Sequence, residues 1–347
     1  MTWCTVTADR RPPQAAPFRW RCATADPASS CHVALVGVTA SGKSALAAAV
    51  ARARPEAELV SIDSMAVYRH MDIGTAKPSP AERRELRWHL LDLVEPGEEF
   101  TVRQFQAAAA CALAGIESRA HRALLVGGTG LYLRAVIDSL ELPGRWPDIA
   151  ASLEHEAEGP GGVPALHARL STLDPLAASR TTPTNRRRVV RALEVTIGSG
   201  RPFSSFGPGL GTYRPTPACL LGIPFDAPAV DEAIARRFHR LMEAGFLDEV
   251  RTLAARPGGL SRTAGQALGY RELLAHLEHG LPLGQAVDEA IRRTRAFARR
   301  QWAWFRRDPR IVWLDAHASQ PGLLAQLLGH WDEAGARSRP AAVGDWA

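Results

Sequence analysis

Short apolar runs of strand length alternate with longer stretches of helical period through the first part of this chain. "HVALVGV" is almost wholly apolar and ends in glycine, as expected of a strand buried on both faces. Behind it, "KSALAAAVARAR" keeps its apolar residues at helical spacing. "AELVSID" and "WHLLDLV" read as further strands and the alanine-rich "VRQFQAAAACALAGIESRA" as a helix; "RALLVGG" is a strand leading into the helical "TGLYLRAVIDSL". This alternation predicts an α/β fold, a parallel sheet covered by helices. Ligands in such sheets sit beyond the carboxyl ends of the strands. Gly37, Asp63 and the run Gly127-Gly128-Thr129 stand at such ends, so three segments are expected to meet at one crevice.

The pattern changes near Pro147. Residues 148–215 hold short helical pieces broken by "GPGGVP", "DP" and "TTPTN", then the loop "GRPFSSFGPGLGTYRP"; they read as a mainly helical insertion. "CLLGIPF" resumes the sheet, helices are expected over 228–244, 264–278 and 284–307, and "RIVWLDA" reads as a late strand. The organisation is then a core over 31–147, the insertion over 148–215, and a continuation of the core with basic helices over 216–333. Residues 1–30 and 334–347 lack a sustained period, and both read as disordered extensions.

Composition sharpens this picture mainly through arginine. The 347 residues, 46% hydrophobic, can bury one large core or two smaller ones, and the net charge of +6 permits a polyanionic partner. Arg292, Arg293, Arg295, Arg299, Arg300, Arg306 and Arg307 fall in one stretch opposed only by Asp288 and Glu289. A second group comprises Arg186, Arg187, Arg188 and Arg191. On a helix over 284–307, Val287, Ile291, Thr294, Ala298 and Phe305 form an apolar stripe, with Arg292, Arg295, Arg299 and Arg306 on another face. A face of one sign reads as a nucleic-acid surface, and Trp302, Trp304 and Phe305 read as core residues before base-stacking ones. The five cysteines are scattered without a C-x-x-C pair, which argues against a disulfide framework or a zinc site. No apolar run is long enough to cross a bilayer, and no secretory signal opens the chain. A monomeric cytoplasmic protein is expected.

Candidate chemistry begins with "GVTASGKS", residues 37–44, set between a strand and a helix. In this spacing the backbone N–H groups curl round phosphate oxygens, Lys43 reaches the terminal phosphate and the Ser44 hydroxyl can ligate Mg²⁺. The fold is therefore P-loop NTPase-like. Asp63, taken alone, reads as a turn or cap aspartate, as a metal ligand or as a base facing the phosphate loop. Asp72 and Lys77 in the same stretch read as structural partners. Thr129 reads either as a helix N-cap or as a hydroxyl that orients a ligand beside the small Gly127 and Gly128.

The segments "GVTASGKSALA", "LVSIDSMAVYRHMDIGTAKP", "HLLDLVEP", "LLVGGTGLYLRA", "RRVVRALEV", "RFHRLMEAGFLDEV", "QALGYRE" and "TRAFARRQWAWFR" occur in order. Together, over about residues 32–316, they make the chain resemble the bacterial tRNA dimethylallyltransferases. The resemblance implies transfer of a dimethylallyl group from dimethylallyl diphosphate to N6 of the adenosine 3′-adjacent to the anticodon. It implies tRNAs reading codons that begin with U, with the anticodon stem-loop as partner and Mg²⁺ as cofactor. Gly37, Val38, Thr39, Ala40, Ser41, Gly42, Lys43 and Ser44 would hold the diphosphate leaving group, Ser44 its metal, and Arg237 a further phosphate. Asp63 would be the general base and Thr129 its partner at the adenine. The tRNA contacts implied are Asp63, Ser64, Met65, Ala66 and Thr129, then Arg187, Arg188, Val189, Val190 and Arg191, then Gln266, Ala267, Leu268, Gly269, Tyr270 and Arg271. The chain departs from the family pattern at Val38, usually proline, and at Ala150 and Gln266, where relatives carry arginine; it also lacks a Cys/His zinc module. The rival readings are a small-molecule kinase, an RNA-binding ATPase and an enzyme that prenylates free adenylate.

Overall fold

The computed structural model describes residues 32–337. The expected extension over 1–30 lies outside the described residues. Six strands, β1 (Val33–Val36), β2 (Ala57–Ile62), β3 (Trp88–His89), β4 (Arg122–Gly127), β5 (Cys219–Gly222) and β6 (Val312–Trp313), form one parallel sheet in the order β3-β2-β4-β1-β5-β6. Every residue of β1 and β2 is buried, which is why these strands carry apolar runs with little polar alternation. Val33 and Leu35 point to one face, Ala34 and Val36 to the other.

The first face is covered by α1 (Lys43–Ala53) and the late helix α13 (Gln320–Arg337), whose Leu327 and Trp331 are fully buried. Between α1 and the insertion the chain adds α2 (Pro80–Glu85), α3 (Val102–Glu117) and α4 (Gly130–Ile137). Helix α3 starts at a capping box in which the Thr101 hydroxyl and the Gln104 side chain satisfy each other's backbone N–H groups. The insertion consists of α5 (Pro147–Glu156), α6 (Gly162–Leu173), α7 (Pro175–Ser179) and α8 (Arg186–Ser199). These four helices bury a small core of their own, with Leu153, Leu170, Val189 and Leu193 at its centre. Then α9 (Ala227–Glu243), α10 (Phe246–Ala254), α11 (Tyr270–His279) and α12 (Leu283–Phe305) pack with α3 and α4 over the second face of the sheet.

Several expectations are corrected. The C-terminal tail does not begin at residue 334: α13 runs to Arg337, and Ala334 is buried against the first face. "WHLLDLV" joins the sheet only at Trp88 and His89, because Leu90 and Asp92 take left-handed backbone angles (φ 63° and 55°) that end the strand; Val94 makes an isolated parallel bridge to Tyr68 instead. The helix expected over 264–278 breaks. A 3₁₀ turn at Ala264–Gln266 leads to Gly269, whose φ of 86° and close approach to Phe246 leave no room for a Cβ, and α11 starts only at Tyr270. Helices α2, α10 and α13 are additions to the sequence reading.

Candidate functional site

The register places three strand ends side by side. Val36 and Ile62 both pair with Gly127, so Gly37, Asp63 and Gly128 leave the sheet at one level. The three segments expected to meet therefore do so, since the two strands carrying the loop and the aspartate flank β4.

Loop 37–44 is shaped by backbone. Ala40 (φ 61°) and Gly42 (φ 84°) both adopt left-handed conformations, the backbone geometry from which anion-binding amide nests are built. Gly37 is closely packed: a Cβ there would lie 3.0 Å from Ser41 Oγ and 3.3 Å from Ile223 Cβ, so both neighbours would have to give. Val38 is buried in the core and its carbonyl accepts hydrogen bonds from the Ser41 N–H and the Lys43 ammonium. The loop thus closes without proline. Helix α1 begins with no side-chain cap, so its first N–H groups remain available to an anion.

Cationic side chains flank this cradle. Burial, and then the charge of Arg237, push the Lys43 ammonium down to about 7, with the negative charge of Asp63 opposing. Burial likewise lowers Arg237 from its ordinary value, again opposed by Asp63. Arg237 reaches over from α9 and donates to Thr39 Oγ1 at 3.3 Å and to the Thr75 carbonyl at 3.5 Å. Lys43 thus lies in the field of both Arg237 and Asp63, and Arg237 in that of Asp63.

Asp63 divides its two oxygens. Oδ1 accepts the N–H groups of Met65 (2.7 Å) and Ala66 (3.3 Å), which is the turn role; Oδ2 forms no hydrogen bond among the described residues. One side chain therefore both builds a turn and presents a half-buried carboxylate oxygen. Thr129 occupies the cap position of α4 but makes no side-chain cap bond. Its Oγ1 accepts the Ser64 N–H at 3.3 Å instead, which leaves the hydroxyl proton to donate elsewhere. The 63–66 turn and Thr129 are thereby locked together.

Other candidate residues separate into accessible and buried. Ser64, Met65, Arg187, Arg188, Gln266, Leu268 and Arg271 are at least partly exposed; Ala66, Val189, Val190, Ala267, Gly269 and Tyr270 are buried. Tyr270 donates to Glu249, whose carboxylate also takes the N–H groups of Asp72, Ile73 and Gly74, so its side chain holds a loop. The Lys77 side chain is fully buried against Asp72 and Asp92, the structural role expected of it. Arg191 donates to the Pro143 and Gly144 carbonyls, and Arg186 pairs with Glu154 and Glu158.

The reading of α12 as one free basic face is corrected. Arg299 pairs with Asp231, Arg295 donates to the Asp231 carbonyl, Arg293 pairs with Glu272 and Arg292 with Glu289. Exposed Arg306 and Arg307 make no ion pair among the described residues. Phe305 is buried, and Trp302 packs on Phe225 and Trp313, as core residues. The sequence reading passed over Gln301, although a lone carboxamide three residues after Ala298 and four before Phe305, in step with the apolar stripe, was a signal.

Comparison with known proteins adds an independent finding. Residues 66–308 match the family described as IPP transferase. The chain is 48% identical over 288 residues to the tRNA dimethylallyltransferase of Acidothermus cellulolyticus, covering 82% of this chain and 88% of that one. It is 44% identical over 297 residues to the tRNA dimethylallyltransferase of Streptomyces avermitilis, covering 85% and 93%. Its structure is similar to the tRNA isopentenylpyrophosphate transferase of Bacillus halodurans (TM-score 0.63, 34% identity, covering 88% and 98%). A eukaryotic dimethylallyltransferase acting on tRNA shares the fold at 22% identity (TM-score 0.72, covering 91% and 82%).

Proposed function

This chain belongs to the IPP transferase family, and on that premise we propose that it moves the dimethylallyl group of dimethylallyl diphosphate onto N6 of the adenosine immediately 3′ of the anticodon, in tRNAs reading codons that begin with U. The relatives are tRNA dimethylallyltransferases, so prenyl transfer to tRNA is the enzyme's activity. The acceptor atom, the base, the metal, a monomeric state and a cytoplasmic setting are our reading. The observation that carries it is the juxtaposition of the phosphate loop with Asp63 and Thr129 at adjacent strand ends.

In this reading the diphosphate lies on the loop amides and the start of α1, with Lys43 and Arg237 against its charge. The allylic C–O bond breaks, a C–N bond forms to N6, and diphosphate leaves. The N6 amine is a poor nucleophile until that bond forms, when its proton becomes acidic; Asp63 Oδ2 accepts it. Thr129, fixed through Ser64, directs its hydroxyl proton at the adenine. Donor chemistry fits a magnesium ion: Ser44 is exposed and its hydroxyl makes no hydrogen bond among the described residues. Among the described residues no group of three or more His, Cys, Asp or Glu side chains could hold a metal, and Mg²⁺ at phosphate sites is held largely by phosphate and water. When bound, the ion would neutralise charge gathering on the leaving diphosphate.

The deciding assay supplies labelled dimethylallyl diphosphate and Mg²⁺ with either bulk tRNA or AMP. Label should enter tRNA. Label in AMP instead, or ATP hydrolysis stimulated by tRNA, would overturn the reading.

Two further outcomes are expected. Lys43 is charged in the free protein below pH about 7 and neutral above it, whereas a bound diphosphate favours the charged form. Binding therefore takes up no proton at Lys43 well below pH 7 and up to one above it, so affinity should fall as pH rises through 7, by at most about tenfold per pH unit. Calorimetry in buffers of different ionisation enthalpy at pH 6 and 8.5, wild type minus Lys43→Met, measures this uptake and cancels the ligand's own protons. For the basic surface, replacing Arg187 and Arg188 by alanine should flatten the salt dependence of tRNA binding by about 0.7–0.9 in log–log slope per lost phosphate contact. Arg299→Ala should leave the slope unchanged, because Asp231 already holds that guanidinium.

A further inference from the structure

We propose that Gln301 is a positioning residue for the transfer described above: its carboxamide sets the spacing between the diphosphate loop and the strand end that carries Thr129. This rests on the functional reading just given. Gln301 is buried near the C-terminal end of α12. Its Oε1 accepts the Thr39 N–H at 2.8 Å and its Nε2 donates to the Gly128 carbonyl at 2.9 Å. One partner is the third residue of the phosphate loop; the other immediately precedes Thr129. The two segments belong to different strand ends, and this one side chain bonds both.

The chemistry of the contact selects glutamine. A backbone N–H on one side needs an acceptor and a carbonyl on the other needs a donor, and the Gln301 carboxamide supplies both at once. Glutamate would set a carboxylate against the Gly128 carbonyl, and methionine would leave both backbone groups unmet. Gly128 is matched to the same contact: a Cβ there would fall 2.2 Å from Nε2 and push the carboxamide aside. The bond also commits the Thr39 amide, so the phosphate must be held by the loop amides that follow. Because the diphosphate lies on one segment and the adenine on the other, loosening Gln301 would let donor carbon and acceptor nitrogen drift apart without removing any group that touches either substrate.

Single-turnover transfer at saturating tRNA and dimethylallyl diphosphate tests this with Gln301→Met, Gln301→Glu and Gly128→Ala, each assayed well below its melting temperature. The saturated rate of Gln301→Met should fall about 10- to 100-fold, the range that misplacement of about 1 Å produces. The tRNA Kd and the half-saturating diphosphate concentration should stay within about threefold. Gly128→Ala should show the same pattern, and the Gln301→Met/Gly128→Ala pair should lose no more than the worse single variant, since both break one contact. Should the methionine variant fail to fold, Gln301→Glu, which keeps the Thr39 bond, carries the comparison. A saturated rate within threefold of wild type, a loss fully restored by more diphosphate, or additive losses in the pair would overturn the proposal. Absence of transfer by the wild-type chain would instead overturn the functional reading, and this inference with it.

Discussion

Asp63→Asn should slow single-turnover transfer by about 10²-fold or more while leaving the fold and tRNA affinity nearly unchanged. The geometry makes the substitution unusually selective. Asparagine keeps the Oδ1 that accepts the Met65 and Ala66 N–H groups, so the turn survives, but it replaces the free Oδ2 with an amide that cannot take a proton. The outcomes separate the three roles open to this residue. A purely turn-building aspartate predicts near-wild-type turnover, a metal ligand predicts rescue by added Mg²⁺, and a base predicts loss that no metal concentration restores. Removing the charge has a second consequence. Asp63 raises the Lys43 ammonium, so the variant should show its diphosphate-linked proton uptake at lower pH than wild type. Melting temperature, tRNA affinity and Mg²⁺-dependent rate on one preparation decide among these.

Lys43→Ala should lower transfer by about 10²–10³-fold, the scale for removing one preorganised group that stabilises developing charge. Its tRNA Kd should change little, because Lys43 sits under the loop against the Val38 carbonyl rather than on the accessible arginine surfaces. Equal loss of tRNA binding in a folded variant would contradict the assignment of this loop to the diphosphate. The two variants also differ in dependence on donor concentration. Lys43→Ala weakens a group that touches the diphosphate in ground and transition states alike, so half-saturation should rise as well as the rate fall. Well below pH 7, where Lys43 is charged with or without Asp63, Asp63→Asn should affect the rate alone. Pre-steady-state rates across a range of dimethylallyl diphosphate concentrations separate the two patterns.

Local signals were enough to bring the candidate segments to one end of the sheet because each of them is local. A glycine-bracketed loop, a lysine and a serine follow one strand, and an aspartate and a small-residue turn end two others; strand and loop conformations are set by residues close in sequence. The parallel sheet follows from the same alternation, so the meeting of Gly37, Asp63 and Gly128 was legible before any coordinate. Boundaries were less so. Gly269 and Leu90 break their elements through backbone angles whose cost depends on neighbours such as Phe246. Helix α13 was missed because its buried face, including Trp331 and Ala334, becomes visible only against the sheet.

By itself, then, the sequence determined the fold class, the glycine-bracketed loop after the first strand and the aspartate that ends the second. What only the tertiary structure decided is which charges and amides remain free. Seven arginines of one stretch look like a single basic face until Asp231 from α9 and Glu272 from α11 take two of them. Asp63 offers one oxygen rather than two because the chain turns back to supply two N–H groups. Gln301 bonds residues 262 and 173 positions away. The physical reason is common to all three: hydrogen bonds and ion pairs form between whatever groups the packing brings within about 3 Å, and no periodicity along the chain records which distant partner that will be.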